Sequence, residues 1–159
     1  MARFVEKYIR LALVYSLAFI FLVEQCAGRM YTGNRILDVF CHANIWHLLL
    51  CCFALWYILR GWPWPSWKML LIGIVYAVVG AVLSPWPVEG TSGIICAITA
   101  TQLVYAPTKR NIIMVAASMV LCTIINPLSV VVHMVPFTLG LLTAFIVKRY
   151  GRTEVRRMA

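Results

Sequence analysis

Long apolar runs separated by short polar or proline-rich segments dominate this chain. The runs do not alternate apolar with polar residues, as the strands of a transmembrane barrel do. Because backbone polar groups in lipid must be paired within their own segment, unbroken apolar runs predict transmembrane helices. We therefore expect a single all-α membrane domain of six spans, at about 4–23, 45–59, 69–83, 92–106, 112–125 and 129–147.

Composition strengthens this interpretation. Hydrophobic residues make up 63% of the 159 residues and charged residues 12%, whereas soluble domains are typically ~45–50% apolar and ~25% charged. An ordinary soluble domain, a disordered chain and a coiled coil are excluded. Six spans of ~20 residues leave no room for a soluble catalytic domain, so any chemistry must occur inside the membrane. The basic, then apolar, start resembles a signal sequence without a cleavage site, which predicts a retained first span.

The positive charges predict the orientation. Twelve Lys and Arg residues lie at the two termini and in the second and fourth loops, whereas the opposite side carries only Arg29 and Arg35. The positive-inside rule then predicts a multi-pass protein with both termini in the cytoplasm. This distribution and contact with anionic lipid explain the net charge of +9, so no nucleic-acid partner is expected. A bacterial plasma membrane fits best, with an organelle left open.

Four polar side chains are predicted to meet at one membrane depth. In this orientation His42 and His47 lie at the outer end of the second span, Ser92 begins the fourth at its outer end, and His133 lies one turn into the sixth. Polar groups inside spans are costly and often functional. Ser92 is therefore a candidate nucleophile and His133 its candidate base.

The surroundings of Ser92 support this pairing. Gly90 and Gly93 flank it, which allows a tight turn into the helix and leaves N-terminal N–H groups able to hold an oxyanion. Small residues also recur every four positions in the fourth and sixth spans, namely Gly93, Ala97 and Thr101, and Gly140 and Ala144. Such faces let helices approach closely in lipid. The alternative is that the small residues serve packing alone and Ser92 bonds a carbonyl one turn back.

The histidines and cysteines do not predict a metal site or a disulfide framework. His42 and His47 are five residues apart and cannot share a helix face, which disfavours a zinc pair. A site formed by His47, Cys51 and His133 is conceivable but lacks a carboxylate, so neither a metal nor another cofactor is expected. His47 suits better a hydrogen-bond donor to developing negative charge. Most cysteines lie in apolar runs, and only a Cys26–Cys41 bridge is left open.

Two acidic residues fall in the predicted outer loops. Either Asp38 or Glu89 could orient the imidazole of His133. A solvated loop charge is the simpler expectation for both.

Taken together, these motifs resemble the rhomboid intramembrane serine proteases over about residues 36–147. The segment from His42 to Leu48 resembles the family's H-x-x-x-x-H-L pattern, Gly90 to Gly93 its G-x-S-G, and His133 with Gly140 its sixth-span histidine and glycines. The resemblance implies a six-helix bundle with a short central fourth helix. It also implies a catalytic dyad of Ser92 and His133 that lacks an acidic third member.

The resemblance assigns further roles. His47 and the backbone N–H of Ser92 would form the oxyanion hole, and His42, Gly90 and Gly93 would shape the active-site loop. Cys51 stands where the family usually has an oxyanion-hole Asn, and a thiol is a weak donor. Cys96 replaces a frequent aromatic residue, Pro136 replaces a glycine and is expected to kink the helix, and the family's Trp-Arg motif is missing from the first outer loop.

Three functions follow in order. The first is an endopeptidase whose partners are single-span membrane proteins cleaved near the outer face of the lipid bilayer. The second is an inactive rhomboid-like pseudoprotease that binds transmembrane segments, which the substitutions Cys51 and Cys96 favour mildly. The third is a small metal or solute carrier, disfavoured because buried carboxylates and paired broken helices are missing from the sequence.

Overall fold

The computed structural model describes residues 2–26, 34–42, 44–59, 66–86, 90–125 and 127–158. All regular structure in these ranges is helical, which confirms the all-α class for this part of the chain. The helices are α1 Ala2–Cys26, α2 Arg35–Asp38, α3 Ile45–Leu59, α4 Ser66–Leu83, α5 Ser92–Tyr105, α6 Lys109–Ile125 and α7 Val130–Met158, with a 3-10 helix, Pro127–Ser129, before α7.

Each predicted span corresponds to one helix, but several helix ends differ. α3 has the predicted bounds, whereas α7 continues to Met158 instead of ending near 147. Hydropathy marks where apolar character stops, and Lys, Arg and Glu still favour helix beyond that point. The four-residue helix α2 was not predicted; Asn34 begins it, with its side chain accepting a hydrogen bond from the Ile36 N–H at 3.0 Å.

One helical stretch in the described residues, Pro127–Tyr150, is long and apolar enough to cross a membrane. Shorter apolar helical stretches occur in four other places: Leu11–Cys26, Ile45–Leu59, Trp67–Leu83 and Ser92–Tyr105. The structure thus contains one helix of clear membrane-crossing length together with several apolar helices that fall below it.

α5 is the central helix of the fold. It packs most extensively against α7 and α4, while α1 and α3 flank this group and α6 contacts it less closely. Ala97 and Thr101 of α5 and Ala144 of α7 are buried, and a Cβ added at Gly140 would collide with the Ala97 carbonyl oxygen. The predicted close packing of the fourth and sixth spans through small residues is therefore confirmed.

Pro136 is a packing residue within α7, which is one helix from Val130 to Met158. The proline ring is fully buried, and a Cβ added at Gly80 of α4 would lie 2.9 Å from two of its ring carbons. The Val132 carbonyl, which a proline four residues later leaves without its helical donor, lies close to Gly93 and Gly80. The substitution predicted as a likely site of disruption instead fills the contact between α4 and α7.

Candidate active site

Gly90 forms the turn that leads into α5. Its φ of +99° belongs to a region that favours glycine, and its N–H donates to the Asp38 carbonyl at 3.2 Å. The imidazole of His47 fills the space beside it, so that a Cβ at position 90 would stand 2.9 Å from Nε2 and closer still to Cε1. Both backbone conformation and space therefore require glycine here.

The N-terminus of α5 lacks its usual side-chain cap. Thr91 occupies the capping position, yet its hydroxyl makes no capping hydrogen bond and instead meets Nε2 of His42 at 3.3 Å. His42 is completely buried, so this contact is shielded from solvent. Since the first N–H groups of a helix have no partner inside it, those beside Ser92 gain none from Thr91.

Ser92 and His133 meet across the contact between α5 and α7. The distance from His133 Nε2 to Ser92 Oγ is 2.9 Å, which is ordinary hydrogen-bond length. His133 is 7% exposed and Ser92 is half-buried. The predicted contact between these two side chains is confirmed, whereas their catalytic roles stay predictions.

Ser129 contacts the other nitrogen of the same imidazole, and the sequence analysis had missed it. Its Oγ lies 3.2 Å from His133 Nδ1. The two residues are four apart, from the 3-10 helix into α7, a spacing that brings side chains together on a helical face. That spacing was the available clue, but Ser129 had been counted only as the first residue of the sixth span.

The expectation of a solvated Asp38 is wrong. Asp38 is 2% exposed, and its backbone carbonyl anchors Gly90. The short helix α2 turns this residue inward, which hydropathy alone does not reveal. Glu89, the other candidate for orienting His133, lies outside the described residues.

His42 and His47 are closer than helical spacing suggested. Their ring centroids are 5.2 Å apart in a T-shaped arrangement, because His42 precedes α3 instead of lying on it. Burial, with a smaller contribution from neighbouring His47, lowers the pKa of His42 to about 4, so it is neutral at physiological pH. His47 also interacts electrostatically with His133, which groups all three histidines around the start of α5.

The cysteines fall into separate surroundings. Cys51 is buried in α3 one turn after His47, while Cys96 points towards α6, its Sγ lying 3.9 Å from the Met119 sulfur. Cys26 and Cys41 are both free, so the bridge left open by the sequence does not form. In the described ranges there is no cluster of three or more His, Cys, Asp or Glu side chains suited to a metal ion.

No protein-family model, curated protein or solved structure matches this chain. The comparisons thus assign no family, and the function has to be argued from the geometry around Ser92 and His133.

Proposed function

We propose that this protein is a six-span intramembrane serine endopeptidase of the rhomboid type. The observation that carries the proposal is the 2.9 Å contact between His133 Nε2 and Ser92 Oγ, two residues 41 positions apart. A hydroxyl within hydrogen-bond reach of an imidazole is the arrangement needed to activate a serine nucleophile. The free helix N-terminus beside it supplies a second requirement, donors for an oxyanion.

Exposed apolar side chains support a multi-pass membrane protein. Trp46, Leu50 and Phe53 of α3 are 73%, 68% and 67% exposed. Soluble monomers rarely expose contiguous apolar patches of this kind, whereas lipid would cover them. With the charge distribution, we infer that α1, α3, α4, α5, α6 and α7 all cross, with both termini cytoplasmic, in a bacterial plasma membrane.

The imidazole of His133 is the general base. To accept the Ser92 proton at Nε2, a neutral imidazole must carry its own proton on Nδ1. The Ser129 hydroxyl, 3.2 Å from Nδ1, can accept a hydrogen bond from that N–H and so favours the reactive tautomer. After attack by Ser92 Oγ on the substrate carbonyl, the imidazolium gives the proton to the leaving amine.

The developing oxyanion is held by the N–H groups at the start of α5 and by His47. His42 assists indirectly, because it engages the Thr91 hydroxyl that would otherwise cap these donors. Removing one oxyanion-hole donor typically costs ~3–4 kcal/mol of transition-state stabilisation. Cys51, in place of the family's Asn, therefore predicts a slow enzyme and is the observation that favours the alternative, a pseudoprotease that binds transmembrane segments.

The experiment that tests this proposal is labelling by a fluorophosphonate, which reacts covalently with activated serines. We expect an adduct on Ser92 in the wild-type protein, and loss of both the adduct and cleavage of a single-span reporter in Ser92→Ala and His133→Ala. Ser16→Ala, which removes an exposed hydroxyl on α1, is the matched control and should behave like wild type. Reporter binding without an adduct on Ser92 would favour the pseudoprotease, and retained cleavage in Ser92→Ala would refute both assignments.

A further inference from the structure

A cavity of about 430 Å³ lies between α3, α5, α6 and α7, apart from the Ser92–His133 pair. It exists because α6 packs loosely against the remaining helices. Its volume falls in the ~300–1,000 Å³ range of small-molecule sites. Phe53, Ile95, Met119 and Phe137 contribute to its walls, which are mainly apolar.

The polar groups of the cavity gather at one end. Tyr57 near the end of α3, Gln102 near the end of α5, and Arg110 and Asn111 at the start of α6 line the cavity there. The proposed orientation makes this the cytoplasmic end. The cavity is therefore amphipathic along the membrane normal, with an apolar interior and a polar mouth at headgroup depth.

Arg110 gives this mouth a positive charge. Its Nη2 lies 3.5 Å from the Tyr57 hydroxyl across the gap between α6 and α3, and none of the described residues lining the cavity carries a carboxylate. The guanidinium is exposed, and exposed Lys109 adjoins it. Guanidinium and hydroxyl donors facing the cytoplasmic leaflet match the phosphate of an anionic lipid, because Arg binds phosphate with a planar set of donors.

We propose that this cavity binds one anionic phospholipid, with an acyl chain between α3 and α6 and its phosphate on Arg110 and Tyr57. The inference rests on the membrane orientation given under the proposed function but not on catalysis. Charge complementarity at the mouth and the apolar interior select this occupant over a neutral lipid. A bound acyl chain would fill the space that α6 leaves open and so stabilise α6 against the bundle.

The test is native mass spectrometry of the purified full-length protein with phosphatidylglycerol or phosphatidylcholine. All variants carry Ser92→Ala, so the result does not depend on peptidase activity. We expect phosphatidylglycerol to be retained at least fivefold more than phosphatidylcholine, and this preference to be lost in Arg110→Gln. Lys109→Gln, which removes the adjacent charge outside the cavity lining, is the matched control and should keep most of it.

A second measurement locates the acyl chain. Phosphatidylglycerol with a diazirine on its acyl chain should crosslink to Thr99 and Met119 inside the cavity, and Thr99→Phe should abolish the Met119 crosslink. Equal retention of both lipids, or crosslinks confined to the outer faces of α1 and α7, would overturn the proposal. Crosslinking of a diazirine-bearing single-span peptide at these positions, with none from the lipid, would assign the cavity to a transmembrane segment and also overturn it.

Discussion

Replacing Gly140 by alanine tests whether helix packing controls the distance between Ser92 and His133. Gly140 faces the backbone of Ala97 where α7 crosses α5. A Cβ there would collide with the Ala97 carbonyl oxygen and lie 3.1 Å from its carbon, whereas ordinary contact begins at 3.4 Å. The two helices must therefore separate, by an amount on the order of 1 Å.

The expected magnitudes separate activity from stability. Overpacking of this kind costs ~1–3 kcal/mol, and replacing a helical glycine by alanine returns ~1 kcal/mol, so the net loss in unfolding free energy is ~0–2 kcal/mol. The protein should therefore stay folded. The Ser92–His133 contact begins at 2.9 Å, and a 1 Å displacement of reacting groups can cost ~100-fold in rate.

The assay is the rate of fluorophosphonate labelling at Ser92, measured alongside thermal unfolding of the same samples. We expect labelling in Gly140→Ala to slow by ~100-fold while the unfolding transition stays cooperative. Thr138→Ala changes an exposed residue of the same helix and should label within about twofold of wild type, since it touches no helix contact. Wild-type labelling in Gly140→Ala would refute the link between this crossing and the site.

Three further predictions concern the surroundings of the pair. Gly90→Ala, strained at φ +99° and crowded by His47, should lower the free energy of unfolding by at least ~1–3 kcal/mol in a denaturation experiment. Ser129→Ala should slow labelling ~5–10-fold through loss of the hydrogen bond to His133 Nδ1, and Ser129→Thr should restore the rate; equal rates for both variants would contradict a tautomer role. The folded chain protonates His42 only near pH 4, whereas the unfolded chain does so near 6.5. Unfolding of wild type should thus become easier, relative to His42→Gln, by on the order of 3 kcal/mol as pH falls from 6.5 to 4, and parallel pH profiles would disprove this.

Some surroundings of the site were missed because local pattern does not reveal them. Asp38 reads as a loop charge until the short helix α2 turns it inward, and Ser129 has no apolar periodicity that singles it out. Likewise, Thr91 reads as a helix cap, and only its contact with a histidine 49 positions away takes the hydroxyl from that role. Each of these depends on a contact with a residue from another element or on the exact phase at which a helix begins.

The sequence by itself determined the order and type of the helices, because long apolar runs and helix-breaking prolines act locally. It also determined that Ser92 and His133 could approach, since small residues recur at helical spacing on both segments. Only the tertiary structure decided the partners of each polar group, because a hydrogen bond requires an orientation and a distance of about 3 Å, and hydropathy and residue spacing specify neither. The Ser129 contact, the buried Asp38 and the amphipathic cavity beside α6 therefore appear only once the helices are packed.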